Sequence, residues 1–374
     1  DWWDGAQLYR DWVLPNAVWT SKGPISKRSD FPTWYLENGL WLNSNWLPGT
    51  LNCTLGDPDI VEAFAKNASK KLGIPYAIHW YCWEFYPFDT NYPDYLPAKQ
   101  GFKEAIERLQ HLDIHVLPYT NGRLYDINAP SYNEKSASLY TAKDSAPRMN
   151  CRTPYQPIEV YASGQYNSAM CPATTFWQET MAEVVTKVAL AHNTDGLYVD
   201  QIGAAGPYTC SDPSHGHPVL GGDYWVSGYN KLLTRMATHN TPERVIVTEE
   251  NAEPYMGNLQ GYLTLNAYSD CNMVPAWMAI YGGYQMSVGR MFYSEDLENL
   301  GAGFAFKIAQ GFVFGQQMGW FALTGVDGIG QVLEDEKYQP VLSYTASLSK
   351  FRNMTKEYLV HGRLMKGVET SASA

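Results

Sequence analysis

Residues 101–120 read GFKEAIERLQHLDIHVLPYT, and the two halves of that stretch obey different periodicities. Phe102, Ala105, Ile106, Leu109 and Leu112 recur three and four positions apart, which puts them on one face of a helix. From Ile114 to Tyr119 a short apolar run follows almost at once, as a strand buried on both faces would read. A helix with one apolar face feeding into such a strand is the repeating unit of a parallel α/β fold. Working outward, strand-like runs occur at 34–42, 75–82, 114–119, 196–200, 244–249, 262–268, 289–293 and 318–323. Helical stretches at 59–72, 101–112, 174–192, 224–239 and 297–314 lie between them. Eight parallel strands with right-handed crossovers in about 300 residues suit a closed (β/α)8 TIM barrel. An open doubly wound sheet is the alternative, but no G-x-G-x-x-G or G-x-x-x-x-G-K-[ST] follows an early strand, so nucleotide binding recedes. There is no low-complexity linker, charge block or internal repeat, and residues 1–374 read as a single catalytic barrel domain.

The 27 Lys and Arg against 38 Asp and Glu give a net charge of -11, which argues against a nucleic-acid partner. No run of about eighteen apolar residues is present, so no membrane span is expected. The six cysteines (Cys53, Cys82, Cys151, Cys171, Cys210 and Cys271) lack C-x-x-C spacing, which disfavours a zinc ribbon and leaves disulfide pairing open. Aromatic residues reach 14% of the chain; their flat faces suit sugar rings as well as ordinary cores.

In a barrel of this kind the active site lies at the C-terminal strand ends. There the sequence places His79, Trp80, Trp83 and Glu84 after the second strand, Asn121 and Arg123 after the third, Asp200 and Gln201 after the fourth, and Glu249, Glu250 and Glu253 after the fifth. A strand-end Asp alone is more often a turn cap. Two acids at successive strand ends, roughly 4.8 Å apart between neighbouring chains, form the carboxyl pair that glycoside hydrolysis requires. Asp200 and Glu249 are the expected catalytic pair, with Glu250 as the rival if the alternation of side chains is off by one. Single tryptophans read as packing, except Trp80 and Trp83 beside His79 and Glu84, which read as substrate contacts. His215 and His217 are expected to line the mouth beside Asp200 and to bind sugar hydroxyls. Their H-x-H spacing, with Asp and Cys nearby, is weakly specific for a metal.

Several of these motifs carry a resemblance. Asp4-Gly5-Ala6, Leu8-Tyr9-Arg10-Asp11-Trp12, Pro32-Thr33-Trp34, His79-Trp80-Tyr81, Tyr119 to Arg123, Met170-Cys171-Pro172, Asp195 to Gln201, His215-Gly216-His217 and Thr248 to Glu253 resemble the domain of unknown function 6259 family. The barrel of that family is similar to the endo-α-N-acetylgalactosaminidases of glycoside hydrolase family 101. The resemblance implies a retaining glycosidase acting on an α-linked sugar, with Asp200 as nucleophile and Glu249 as acid/base. It also implies an oligosaccharide or polysaccharide substrate and no cofactor or metal; a periplasmic or secreted location is expected with it. Relatives usually carry β-sandwich domains on either side of the barrel, so this chain is expected to be a fragment or a minimal member. Two rival functions remain open: a noncatalytic carbohydrate-binding barrel, and a metal-dependent hydrolase using the His215 and His217 loop.

Overall fold

The structure, a computed structural model, describes residues 1–44, 53–144, 156–161, 163–265, 274–289, 302–323 and 333–367. Eight of its strands are parallel: β1 (Leu40–Asn43), β2 (Tyr76–Trp80), β3 (Ile114–Asn121), β7 (Gly196–Asp200), β8 (Val245–Glu249), β9 (Gly261–Leu263), β10 (Met286–Val288) and β11 (Met318–Ala322). They are ordered β10-β9-β8-β7-β3-β2-β1-β11. A parallel bridge between Val288 and Gln317 joins the two ends, so the sheet closes on itself as a (β/α)8 barrel. Between β3 and β7 the chain inserts a small antiparallel sheet of β4 (Leu124–Asp126), β5 (Ile158–Val160) and β6 (Tyr166–Ala169), in the order β4-β6-β5.

The helix Phe102–Gln110 shows why the layers form. Phe102, Ala105, Ile106 and Leu109 are all buried against β3 and its neighbours, and a left-handed Gly101 starts the helix. Each large apolar side chain so buried is worth about 1.5–3 kcal/mol. The same alternation that makes a strand face both ways fills the barrel interior with rings. Trp41, His79, Tyr81, Tyr119, Tyr198 and Trp320 form a chain of aromatic contacts, with His79 stacked on Tyr198 at 4.5 Å and Tyr81 on Tyr119 at 4.8 Å.

Three expected strands shift. In the run 34–42 the first part is the helix Thr33–Glu37, and the strand starts only at Leu40, after the Asn38-Gly39 break. The seventh strand lies at Met286–Val288 rather than 289–293, of which 290–293 fall outside the described residues. The sixth is Gly261–Leu263, and 266–268 of the expected run also lie outside them. The helices hold closely at Pro58–Leu72, Tyr224–His239 and Ala302–Val313, while the stretch 174–192 is an α-helix over Thr175–Val184 that widens into a π-turn over Val185–Leu190. No helix among the described residues is long and apolar enough to cross a membrane.

Candidate active site

Asp200 ends β7 and Glu249 ends β8. Gly196 pairs with Val245 and Tyr198 with Val247, so the row Gly196, Tyr198, Asp200 runs beside the row Val245, Val247, Glu249 on one face of the sheet. That face is the barrel interior, because Tyr198 stacks on His79 there. The Tyr198 hydroxyl donates to Glu249 Oε2 at 2.5 Å. On the other flank β3 pairs Tyr119 with Tyr198 and Asn121 with Asp200, and the Tyr119 hydroxyl donates to Asp200 Oδ2 at 2.8 Å. The backbone N–H of Gln201 donates to Asp200 Oδ1 at 2.6 Å, with Gln201 itself in the left-handed region at φ 66°. Each carboxylate is thus held by a tyrosine hydroxyl projected from the strand beside it.

Glu250 takes a φ of 57° and gives its N–H to the Leu263 carbonyl, which turns the chain out of the strand immediately after Glu249. The loop after β7 passes so close to this turn that a Cβ on Gly203 would lie 2.5 Å from the Glu249 carbonyl oxygen and 2.6 Å from that of Glu250. Only glycine fits there.

Burial raises the pKa of both carboxyls, and the charge of Glu249 adds to the rise at Asp200. The hydrogen bonds from Tyr119 and Gln201 oppose it at Asp200, and the bond from Tyr198 opposes it at Glu249. A buried and a half-buried acid that resist one another's ionisation keep one proton into a pH range where isolated carboxyls have lost both. A third acid stands near by. Asp89, on the loop after β2, accepts from the Tyr92 hydroxyl at 3.1 Å, is lifted to about 6 by burial, and through its charge raises Asp200 further.

Behind Asp200 a polar network fixes the strand ends. Arg123 clamps Glu159 with two guanidinium nitrogens and donates to Gln201 Oε1 at 3.2 Å, while Gln201 Nε2 donates to the Tyr161 hydroxyl at 2.8 Å. Asn121 Oδ1 accepts the backbone N–H groups of Arg123 and Leu124. Arg123 and Asn121 therefore order the rim, with both terminal guanidinium nitrogens of Arg123 and the amide oxygen of Asn121 committed to protein partners.

The remaining expected substrate contacts point elsewhere. Trp80 follows the inward His79 and so faces outward, where it packs edge-on against Phe102 and donates to the Gly56 carbonyl at 2.9 Å. Trp83 stacks on the same Phe102 and donates to the Tyr119 carbonyl. Both belong to the layer between barrel and helices. His79 is fully buried between Trp41 and Tyr198 with neither ring nitrogen hydrogen-bonded, and burial pulls its pKa down to about 3. It is a neutral ring in the floor beneath the carboxylates. Glu253 spends its two oxygens on the hydroxyls of Tyr9 and Tyr281, tying the N-terminal helix Trp2–Asn16 to the helix Ala276–Tyr281. His215 and His217 sit on the loop after β7, but their rings turn towards Cys171 and Cys210. Tyr119, Tyr198 and Asp89 were not singled out from sequence; for the two tyrosines the signal was present, since both lie two residues before a polar strand end and share its face.

Glu84 is buried with no partner for either carboxyl oxygen, and desolvation lifts it from the usual 4.5 to about 8. Its burial, with both oxygens out of solvent, favours the protonated form at neutral pH. Between 4.5 and 8 the folded form holds a proton that the unfolded form has lost, so this residue's contribution to stability falls as pH rises through that window. Glu84→Gln is therefore expected to gain on the parent protein by a few kcal/mol, as an order of magnitude, between pH 5 and pH 8. Denaturant unfolding of both proteins at several pH values measures the gap; a gap that stays constant with pH would show that Glu84 ionises normally.

The geometry defines a class: a (β/α)8 barrel that sets a buried carboxyl, Asp200, and a half-buried one, Glu249, at adjacent strand ends over an aromatic floor. Residues 1–293 match the family described as Domain of unknown function (DUF6259), and the chain belongs to that family. A protein of Monosiga brevicollis named "Putative glycoside hydrolase 22789" is 33% identical over 393 residues, covering 97% of this chain and 33% of that protein. A Bacteroides thetaiotaomicron protein named in the same way, without the number, is 32% identical over 371 residues, covering 98% and 51%. The chain thus spans about a third and about half the length of these relatives. Among solved structures, alpha-N-acetylgalactosaminidase NagBb from Bifidobacterium bifidum matches with a TM-score of 0.70 at 12% identity over 95% of this chain and 57% of its own. The GH36 alpha-galactosidase AgaB from Geobacillus stearothermophilus matches at 0.56 and 12% identity over 86% and 42%. At such identities the likeness establishes the barrel alone.

Proposed function

We propose that this chain is a retaining glycoside hydrolase acting on an α-linked sugar of an oligosaccharide or polysaccharide, with Asp200 as nucleophile and Glu249 as general acid and base. The observation that carries the reading is the pair itself: two interior carboxyls on neighbouring strands, each oriented by a tyrosine hydroxyl. The names of the relatives support the reaction class, and an α-linkage is supported by the names of the proteins that share the barrel. Asp200 attacks the anomeric carbon while Glu249 gives its proton to the departing oxygen; Glu249 then takes a proton from the water that releases the sugar. Asp200 is the more deeply buried, which alone would favour a proton on it, but it accepts two hydrogen bonds against one at Glu249. The positive charge that develops at the anomeric carbon beside Asp200 tips the balance towards an ionised Asp200 and a protonated Glu249. The Cys53–Cys82 disulfide supports a periplasmic or secreted location.

The direct test is a screen of aryl α- and β-glycosides with the product anomer followed by NMR. Hydrolysis of an α-glycoside to the α-anomer supports the proposal, and release of the β-anomer means inversion. Tyr119→Phe refines it. Losing this donor raises the pKa of Asp200, so the acidic limb of the kcat/KM profile is expected to move to higher pH. Near neutrality kcat/KM should fall roughly ten- to a hundredfold, the worth of one hydrogen bond to a charged group. An acidic limb that does not move would separate Tyr119 from the reaction.

A further inference from the structure

The loop from β7 to the helix Tyr224–His239 carries Cys210, His215 and His217, and it folds against Cys171, which lies between β6 and the helix Thr175–Val184. One ligand atom from each of these four residues lies within 4.8 Å of each of the others. Cys210 Sγ and His215 Nδ1 are 3.4 Å apart. Tetrahedral zinc with Zn–S near 2.3 Å and Zn–N near 2.0–2.1 Å separates its ligands by about 3.3–3.8 Å.

The hydrogen bonds around the cluster fix which atoms face inward. His215 Nε2 is 2.8 Å from the Leu139 carbonyl, which can only accept, so the proton sits on Nε2 and the Nδ1 lone pair faces Cys210. His217 Nδ1 is 2.8 Å from the Pro218 carbonyl, which by the same reasoning leaves a lone pair on Nε2; that nitrogen is buried without a partner. The His217 ring is held by stacking on Tyr224 at 4.0 Å. Two imidazoles thus turn lone pairs towards two thiols, and each gives its other N–H to a backbone carbonyl, the outer-shell arrangement of metal-binding histidines. A disulfide between Cys171 and Cys210 would leave both lone pairs facing sulfur with no donor. Both cysteines are free here, while Cys53 and Cys82 are joined.

We propose that Cys171, Cys210, His215 and His217 form a closed, structural zinc site. Four protein ligands complete a tetrahedron and leave no position for a reacting water, so the metal is not the hydrolytic one. Asp212 is not among the ligands: it caps the turn by accepting from the Ser214 backbone and hydroxyl. The site's role is to pin the loop. Two residues before Cys210, Tyr208 donates to Glu159 at 2.7 Å, and Glu159 holds the Arg123 that orders Gln201 next to Asp200. Metal binding fastens that network to the helix layer.

The test uses the full chain, produced with zinc and dialysed. Elemental analysis is expected to return one zinc per chain in the parent protein and in Asp200→Asn, with zinc lost from Cys210→Ser and His217→Ala and a lower Tm in both. Should those variants fail to fold, cobalt exchanged into the parent protein decides the matter, because a tetrahedral site with two thiolates gives intense visible bands and sulfur-to-cobalt charge transfer. Zinc retained in full by both variants, cobalt without thiolate bands, or a Cys171–Cys210 disulfide found by mass spectrometry with no zinc bound would each overturn the proposal.

Discussion

Asp200→Asn is expected to lose turnover by about 10⁴-fold or more, because the covalent route that splits the displacement into two easier steps disappears with the nucleophile. The loss should not be a loss of fold. Asp200 is buried, its pKa is raised, and Glu249 repels its charge, so at neutral pH ionised Asp200 costs the native state free energy. The sign follows from proton binding: above the usual carboxyl range the unfolded chain has released both carboxyl protons while the folded Asp200–Glu249 pair still holds one, and stability falls as pH rises through that interval. An uncharged amide of the same shape removes the cost, and the Tm of Asp200→Asn near neutrality should equal or exceed that of the parent. Activated leaving groups should not restore the rate, since their departure was never the missing step. In Asp200→Ala, azide is expected to occupy the emptied space and displace the leaving group directly, giving a glycosyl azide of inverted configuration. An Asp200→Asn protein that is folded and still turns over natural substrate at a tenth of the parent rate would remove Asp200 from the nucleophile's role.

The fold was legible because burial on both faces leaves an uninterrupted apolar run at each barrel strand, and residues 196–200 and 245–249 end where those runs end. What escaped had little of that signal. Strand β5 is three residues, Ile158–Val160, at a partly exposed edge, and the apolar run 34–42 hides a helix before β1 because both of its segments are apolar. At the site, alternation favoured Glu249 over Glu250, and Glu249 does share the interior face with Asp200. The same rule applied to β2 would have turned His79 and Tyr81 inward and Trp80 outward. Composition pulled the other way, since a tryptophan beside a histidine and a glutamate looks like a sugar platform until its neighbour Phe102 is in view. In the cluster of Cys171 with Cys210, His215 and His217, the H-x-H spacing beside Cys210 gave only a weak metal signal, and the fourth member, Cys171, lies 39 residues before Cys210 in sequence. The cluster's members meet only because the insertion after β3 brings β6 against the loop that leaves β7.

Glu249→Ala should behave differently from any change at Asp200, and the difference is the sharpest test of the two roles. A general acid contributes about 10²–10⁴-fold where the departing oxygen needs a proton. On a natural sugar–sugar bond the variant is expected to lose that much. With an aryl glycoside whose phenolate leaves unaided, the glycosylation step should proceed at nearly the parent rate, because Asp200 remains to attack. The glycosyl-enzyme then waits for a water that no base activates, so a burst of phenolate followed by a slow steady state is expected. Azide needs no base. It should enter from the side vacated by Glu249, raise the steady-state rate, and yield a glycosyl azide with the configuration of the substrate. Tyr198, which loses its acceptor in this variant, lies two residues before Asp200 on β7 and stays stacked on His79, so the nucleophile's surroundings are preserved. Identical responses of Asp200→Ala and Glu249→Ala to activated substrates and azide would mean that these two carboxyls do not divide the chemistry between them.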